Sequence, residues 1–185
     1  MQVARLFVAV DPAPGVRDCL RQAIDRVRPL APSARWVHLT SLHVTLVFLG
    51  DTAAERIPSL EAAVSAVALH HAPFPLRFGG AGTFGGRGAR VLWGGLTGDV
   101  APLVTLQRDL AAALEPLGYL PEERAFTPHL TLARSPGPHP EPGLAAAAAA
   151  LAADDFGASP AFELVLYRSE KSVYTPIATF PLAAG

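Results

Sequence analysis

Two tetrapeptides, HVTL at 43–46 and HLTL at 129–132, constrain this chain more than any other feature. Side chains on a strand alternate between faces, so His43, Thr45, Val47 and Leu49 share one face, while Val44, Leu46 and Phe48 share the other. One imidazole at the head of an apolar strand is a structural residue by default. A second one, followed by its own threonine two positions later, changes that reading.

The two motifs sit at matching places in a longer repeat. RLFVAV, a helix, HVTLVFL, a helix and FPLRFGG are echoed by RVLWGGL, a helix, HLTLAR, an alanine-rich helix and FELVLYRS. From position 6 to 43, and again from 92 to 129, is 37 residues; from His43 to Phe74 is 31 and from His129 to Phe162 is 33. A strand-helix-strand-helix-strand unit therefore occurs twice. Two copies of one unit pack about a pseudo-twofold axis, which sets the two His-x-Thr strands across a shared cleft with the imidazoles opposed.

Local signals place the elements. The stretch 4–10 is a short buried strand, and Asp11 and Pro12 supply an N-cap and first-turn proline for a helix over 12–29. Further helices are expected over 53–70, 100–117 and 143–155, the last because alanine loses no side-chain entropy in a helix. Strands begin at 74 and 89, joined by glycine-rich AGTFGGRG, and AFELVLYRS and VYTPIATFPL close the chain. His70 and His71 fall at a helix C-terminus, where they cap carbonyls.

Composition narrows the function classes. With 185 residues, half of them hydrophobic and 17% charged, the chain has ample material for a core. A formal net charge of −1 announces neither a nucleic acid nor a membrane through bulk electrostatics, so any phosphate-binding charge must be local. Cys19 is the single cysteine, which excludes an intrachain disulfide and a thiolate cluster, and its place in an amphipathic stretch makes it a core residue. No leader and no apolar run long enough for a membrane helix are evident, so the expectation is a cytoplasmic monomer, one two-lobed unit over 1–185.

Two decoys are set aside. GAGTFG at 80–85 fits G-x-G-x-x-G, but a dinucleotide fingerprint needs its glycines to open a helix, and here a strand follows. Neither His-x-Thr copy has a carboxylate, cysteine or second histidine at chelating spacing, so no metal and no cofactor are expected.

Two opposed histidines suit an in-line displacement at phosphorus. One imidazole takes a proton from the attacking oxygen and the other gives one to the leaving oxygen, both with pKa values near neutrality. The hydroxyls of Thr45 and Thr131 can donate to the non-bridging oxygens. A strained 2′,3′-cyclic phosphate is a phosphodiester with its own reason to react.

In this order and spacing the motifs resemble those of the two-histidine phosphoesterases, and most nearly the bacterial and archaeal RNA 2′,3′-cyclic phosphodiesterases, also called 2′-5′ RNA ligases. The resemblance runs from RLFVAV through RWV, LHVTLVFLG, RVLWGGL and FTPHLTLAR to LYRSE and VYTPIATFPL. It implies an α+β, two-lobed fold, with two antiparallel sheets and flanking helices about a central cleft. It implies hydrolysis of an RNA 2′,3′-cyclic phosphate end to a 2′-phosphate, with 2′-5′ ligation as a minor reverse reaction. Carried over by motif, His43 is the proton donor toward O3′ and His129 the acceptor from water, although the symmetry of the motifs leaves that polarity open.

Arg134 matches the arginine that closes the second motif, a phosphate or ribose contact. Strand parity puts it opposite His129, so it needs a bulge or the strand's end to reach the cleft. Ser41 stands where the common pattern has asparagine. Phe48, opposite His43 by parity, and Phe84 in the glycine-rich segment are the candidates to stack on a base. Arg87, Arg90, Arg124 and Arg168 either form a phosphate-binding rim or are scattered. Two alternatives stand beside this reading: a phosphodiesterase acting on 2′-5′ oligonucleotides or small cyclic nucleotides, and an RNA- or nucleotide-binding module with little turnover.

Overall fold

A computed structural model describes residues 3–122 and 124–183. Its elements run β1 (Val3–Val10), α1 (Pro14–Val27), β2 (Arg35–Trp36), β3 (Val44–Ala53), α2 (Ile57–Ala68), β4 (Phe74–Phe84), β5 (Val91–Thr97), α3 (Ala101–Leu114), β6 (Leu130–Arg134), α4 (Pro142–Leu151), β7 (Asp155–Ala161), β8 (Glu163–Glu170) and β9 (Val173–Pro181). All strand pairings are antiparallel. Strand order is β7-β4-β5-β6-β3-β1-β8-β9, with β2 beside β6.

The two expected sheets are joined as the two halves of one continuous nine-stranded sheet. They meet at one bridge, Val44↔Leu130, between the residues that directly follow the two histidines. The halves are interleaved: β4, from the first repeat, pairs with β5, and β8, from the second, pairs with β1. Helices follow the same exchange. α1 packs on β7 and α4, while α2 packs on α3 and β9. Each lobe thus borrows elements from the other, and a core of fully buried residues such as Leu20, Leu60, Leu106, Leu110, Leu144 and Leu151 fills the space under both.

Several local expectations change. Asp11 does not cap α1: Ala13 occupies the N-cap position, Pro14 opens the helix, and the Ala13 N–H donates to Ser159 Oγ (2.9 Å). Cys19 is exposed, because the buried stripe of α1 is Val16, Leu20, Ala23, Ile24 and Val27. β3 extends to Ala53, so α2 starts at Ile57. The glycine-rich segment is mostly strand: β4 continues through Phe84, and a tight turn with Gly85 at φ 135° carries the chain to β5. No helix opens on those glycines. β7 has no counterpart among the expected strands, since Gly157 and Pro160 mask it; as an edge strand it tolerates a proline that cannot donate.

The spacing of 37 residues also misaligns the repeats by two. The ladders pair Val8 with Val47 and Leu92 with Ala133, each four residues past its histidine. Val8, not Leu6, is therefore the structural counterpart of Leu92.

Candidate active site

Each motif strand carries the same irregularity. In β3, Ala9 pairs with Thr45 and Val8 with Val47, which leaves Leu46 as an extra residue; in β6, Trp93 pairs with Thr131 and Leu92 with Ala133, which leaves Leu132. A bulge of one residue reverses the alternation beyond it. Leu46 and Leu132 stay in the core, and so does Leu49 further along β3. Val47 is turned toward the core side by its pairing with buried Val8. Phe48 and Arg134, five residues past each histidine, are turned onto the cleft side with Phe7 and Val91. Plain parity had put Val47 and Leu49 beside His43 and sent Phe48 and Arg134 away from the cleft.

The bridge Val44↔Leu130 fixes the centre of the site. In an antiparallel register the residues one step to either side face each other. His43 and Thr131 therefore lie one step to one side of the bridge, and Thr45 and His129 one step to the other. Both histidines are tied down alike. Nδ1 of His43 lies 2.7 Å from the Ser41 carbonyl, and Nδ1 of His129 lies 2.7 Å from the Thr127 carbonyl. A carbonyl only accepts, so each Nδ1 carries its hydrogen and each Nε2 is the nitrogen free to exchange a proton. The backbone carbonyl two residues before the histidine does this in both lobes, and Ser41 serves through its main chain.

Burial pushes both imidazoles below the ordinary histidine pKa. The remaining influences differ. At His43 the Ser41 carbonyl and the Asp11 carboxylate favour the charged form, against Arg17 and His129. At His129 the Thr127 carbonyl favours it and Arg134 opposes it.

Around the histidines the lobes share a frame and differ in side chains. Tyr167 pairs with Phe7 in one half and Phe84 with Val91 in the other, so Tyr167 and Phe84 are counterparts. The Tyr167 ring lies 5.9 Å from His43, and the Phe84 ring stands edge-on to His129 at 4.9 Å. His43 also packs on Phe7 (4.7 Å) and meets Tyr174 edge-on (5.1 Å). One strand pair inward, Ala9 with Val165 is matched by Trp93 with Gly82. Gly82 is obligatory there, since a Cβ would meet the Trp93 ring at 2.2 Å. Phe84 therefore acts as the shelf for His129 and contacts Trp93 at 5.5 Å.

Arg134 reaches Thr131 Oγ1 at 3.5 Å, the long limit of a hydrogen bond. Phe48 is 57% exposed and its ring lies 6.1 Å from Phe7. The arginines of the expected rim belong to different segments. Arg87 and Arg90 flank the β4–β5 turn, Arg124 lies in the loop before β6, and Arg168 pairs with core residue Leu6 and lies 3.9 Å from Glu170. Sequence reasoning passed over Asp11, Tyr167, Tyr174 and Trp93; the aromatics could have been found only by pairing β1 with β8 and β4 with β5. Among the described residues, no three His, Cys, Asp or Glu side chains gather as a metal site. His71 and Asp109 make a separate pair at 3.1 Å, and His70 Nδ1 lies 2.7 Å from the Ala66 carbonyl, as expected of a capping residue.

Residues 14–172 match the 2′-5′ RNA ligase superfamily. The chain belongs to that superfamily. A relative from Geobacillus stearothermophilus, named RNA 2′,3′-cyclic phosphodiesterase, is 36% identical over 98% of this chain, which spans only 58% of that protein's length. One of the same name from Methanothermobacter thermautotrophicus is 32% identical over 95% of both chains. Among solved structures, TT0787 of Thermus thermophilus has a TM-score of 0.82 at 32% identity, covering 97% of this chain and 98% of its own. E. coli LigT complexed with 3′-AMP has a TM-score of 0.78 at 26% identity, covering 98% and 99%. The two-lobed fold is therefore that of the superfamily, and no helix among the described residues is long and apolar enough to cross a membrane.

Proposed function

We propose that this chain hydrolyses 2′,3′-cyclic phosphate ends of RNA to 2′-phosphates by paired-histidine acid–base catalysis. The observation that carries the reading is the symmetric tethering of two imidazoles beside the Val44↔Leu130 bridge, each with Nδ1 on a carbonyl and Nε2 free. The names of the relatives support the same substrate. His129 Nε2 accepts a proton from water as the water oxygen bonds to phosphorus. The P–O3′ bond breaks on the far side, and His43 Nε2–H protonates O3′. Thr45 and Thr131 donate to the non-bridging oxygens, and Arg134 adds positive charge where the phosphate must be held. With a 5′-hydroxyl in place of water, the same displacement forms the O5′–P bond as P–O3′ breaks and gives a 2′-5′ linkage, a minor activity because water is abundant.

The polarity is supported by charge. At His43 the Asp11 carboxylate favours a proton, offset in part by Arg17, whereas at His129 the Arg134 guanidinium favours the neutral base.

The test incubates EDTA-treated protein with an RNA ending in 2′,3′-cyclic phosphate and identifies the product. A 2′-phosphate is expected. His43→Ala and His129→Ala should each lower the rate by about 10²- to 10⁴-fold with the fold retained. Unchanged RNA refutes the enzyme, and a requirement for added metal refutes the mechanism.

A further inference from the structure

The two lobes share one frame around the histidines, and one of the positions at which their side chains differ carries an anion on one side only. On β1 the last ladder pair with the motif strand is Val10↔Val44, and the next residue on each strand is Asp11 and His43. On β5 the corresponding pair is Gly94↔Leu130, and the next residues are Gly95 and His129. Asp11 is thus the counterpart of Gly95. No side chain fits at Gly95, since its Cβ would come within 2.9 Å of the Gly79 carbonyl oxygen. The neighbouring pair differs in the same sense: Tyr167 has a hydroxyl, and its counterpart Phe84 has none.

Asp11 is held by that hydroxyl. Tyr167 donates to Asp11 Oδ2 at 2.7 Å, and the Arg17 guanidinium lies 3.2 Å from the same oxygen while its Nε donates to the Pro12 carbonyl. Oδ1 is buried without a partner among the described residues. The Tyr167 and Arg17 contacts fix the carboxylate just past the end of β1, one step beyond the Val10↔Val44 pair and level with His43. Asp11 does not cap α1, which starts three residues later, at Pro14, with Ala13 at its N-cap.

We propose that Asp11, clamped by Tyr167 and Arg17, is a positioning residue that breaks the equivalence of the two histidines and assigns the proton to His43. It touches no reacting atom and acts through the field at His43. The groups facing His43 are Asp11 and Arg17 at the β1–α1 corner, Tyr167 of β8, Tyr174 of β9 and His129 across the cleft. Asp11 is the one anion among these described residues, and Arg17 offsets part of its charge. This inference rests on the proposed acid role of His43. Its lobe-specific charge is nonetheless measurable without any substrate.

The test is an NMR titration of the two imidazoles in the free protein, in wild type, Asp11→Asn and Arg17→Gln, followed by the pH profile of kcat/KM on the cyclic-phosphate RNA. In Asp11→Asn the His43 midpoint should move to lower pH with His129 unmoved. The alkaline limb of kcat/KM should shift the same way, with a loss of roughly tenfold at its upper end. In Arg17→Gln the His43 midpoint should move to higher pH, and Asp11→Ser, which also removes the carboxylate, carries the test if Asp11→Asn does not fold. Equal movement of both histidines, or no movement at His43, overturns the proposal. A wild-type protein that turns over no cyclic phosphate while His43 responds as described refutes the proposed function and leaves the proton assignment standing.

Discussion

Phe48→Ala separates a cleft aromatic from a core one. If the alternation along β3 were unbroken, Phe48 would lie with Val44 and Leu46 in the core, and truncation would cost about 3–5 kcal/mol of stability. The bulge at Leu46 places it on the cleft side instead, opposite Phe7 and 57% exposed. Less than half of its surface is withdrawn from water, so the expected destabilisation is about 1 kcal/mol. Stacking of a base on an exposed aromatic contributes about 1–3 kcal/mol, which corresponds to a roughly 5- to 150-fold rise in KM. Urea denaturation gives the first quantity, and initial rates on 2′,3′-cyclic nucleotides give the second. Phe78→Ala, at a ring only 1% exposed, is the control that should show the large stability loss. A loss of about 3 kcal/mol or more in Phe48→Ala with unchanged KM would refute both the bulge argument and the stacking role.

Other outcomes follow from the same geometry. Arg134→Gln would remove the proposed charge-assisted phosphate contact, worth about 1.5–3 kcal/mol, so kcat/KM should fall roughly 10- to 150-fold, and the His129 limb should move to higher pH because the opposing guanidinium is gone. A change under about threefold in the pH-rate measurement argues against phosphate contact. Stability should fall with acidification: both site histidines titrate lower when folded than the unfolded value of 6.5, so the unfolded chain takes up protons first as pH drops through that value. Above that value they contribute no slope. Urea midpoints measured between about pH 7.5 and 5 should show the decline, and His43→Gln should flatten it; a slope unchanged in that variant would place its origin elsewhere. Gly82→Ala, which drives a methyl into the Trp93 ring, should reduce Trp93 packing and disturb Phe84 and His129 next to it, visible as altered tryptophan fluorescence with lowered kcat.

Repetition was the part of the site that could be read without coordinates. Two H-x-T copies survive any shift of register, because a histidine and a threonine two apart share a face in every strand. What parity could not supply was the fate of residues beyond a bulge. Leu46 and Leu132 are ordinary apolar residues, and nothing in their identity marks them as extra; only the pairing of Thr45 with Ala9 and of Val47 with Val8 reveals the irregularity. For Arg134 the need for such a bulge could be stated in advance, since a charged residue has to reach solvent or substrate. Phe48 gave no such warning, because an aromatic is equally at home in the core. The spacing of 37 residues misled for a similar reason: the connections through α1 and α3 differ by two residues, and a two-residue slip preserves strand parity and therefore leaves no trace in the hydrophobic pattern.

Because the bulges are equivalent, the comparison of what stands at each duplicated position becomes informative about chemistry. Positions proposed to hold the phosphate are alike in both lobes: the histidine, its carbonyl tether, and the threonine two residues on. Positions that differ fall in complementary pairs, with Phe48 against Arg134, Tyr167 against Phe84, and Asp11 against Gly95. A symmetric phosphate group requires the first set, since its two non-bridging oxygens make equal demands on either lobe. The reacting ester does not share that symmetry. It has an entering water on one side and a ribose oxygen with its attached base on the other, so a catalyst built from two equal halves would bind it in two orientations and react in one. Under the proposed polarity, an aromatic on the His43 side and a cation on the His129 side would remove that degeneracy, directing the base and the leaving oxygen to the first lobe and the attacking water to the second. Exchanging only the pair at 48 and 134, as Phe48→Arg with Arg134→Phe, should then lower kcat more than either substitution raises KM, because the substrate would be held facing the wrong histidine.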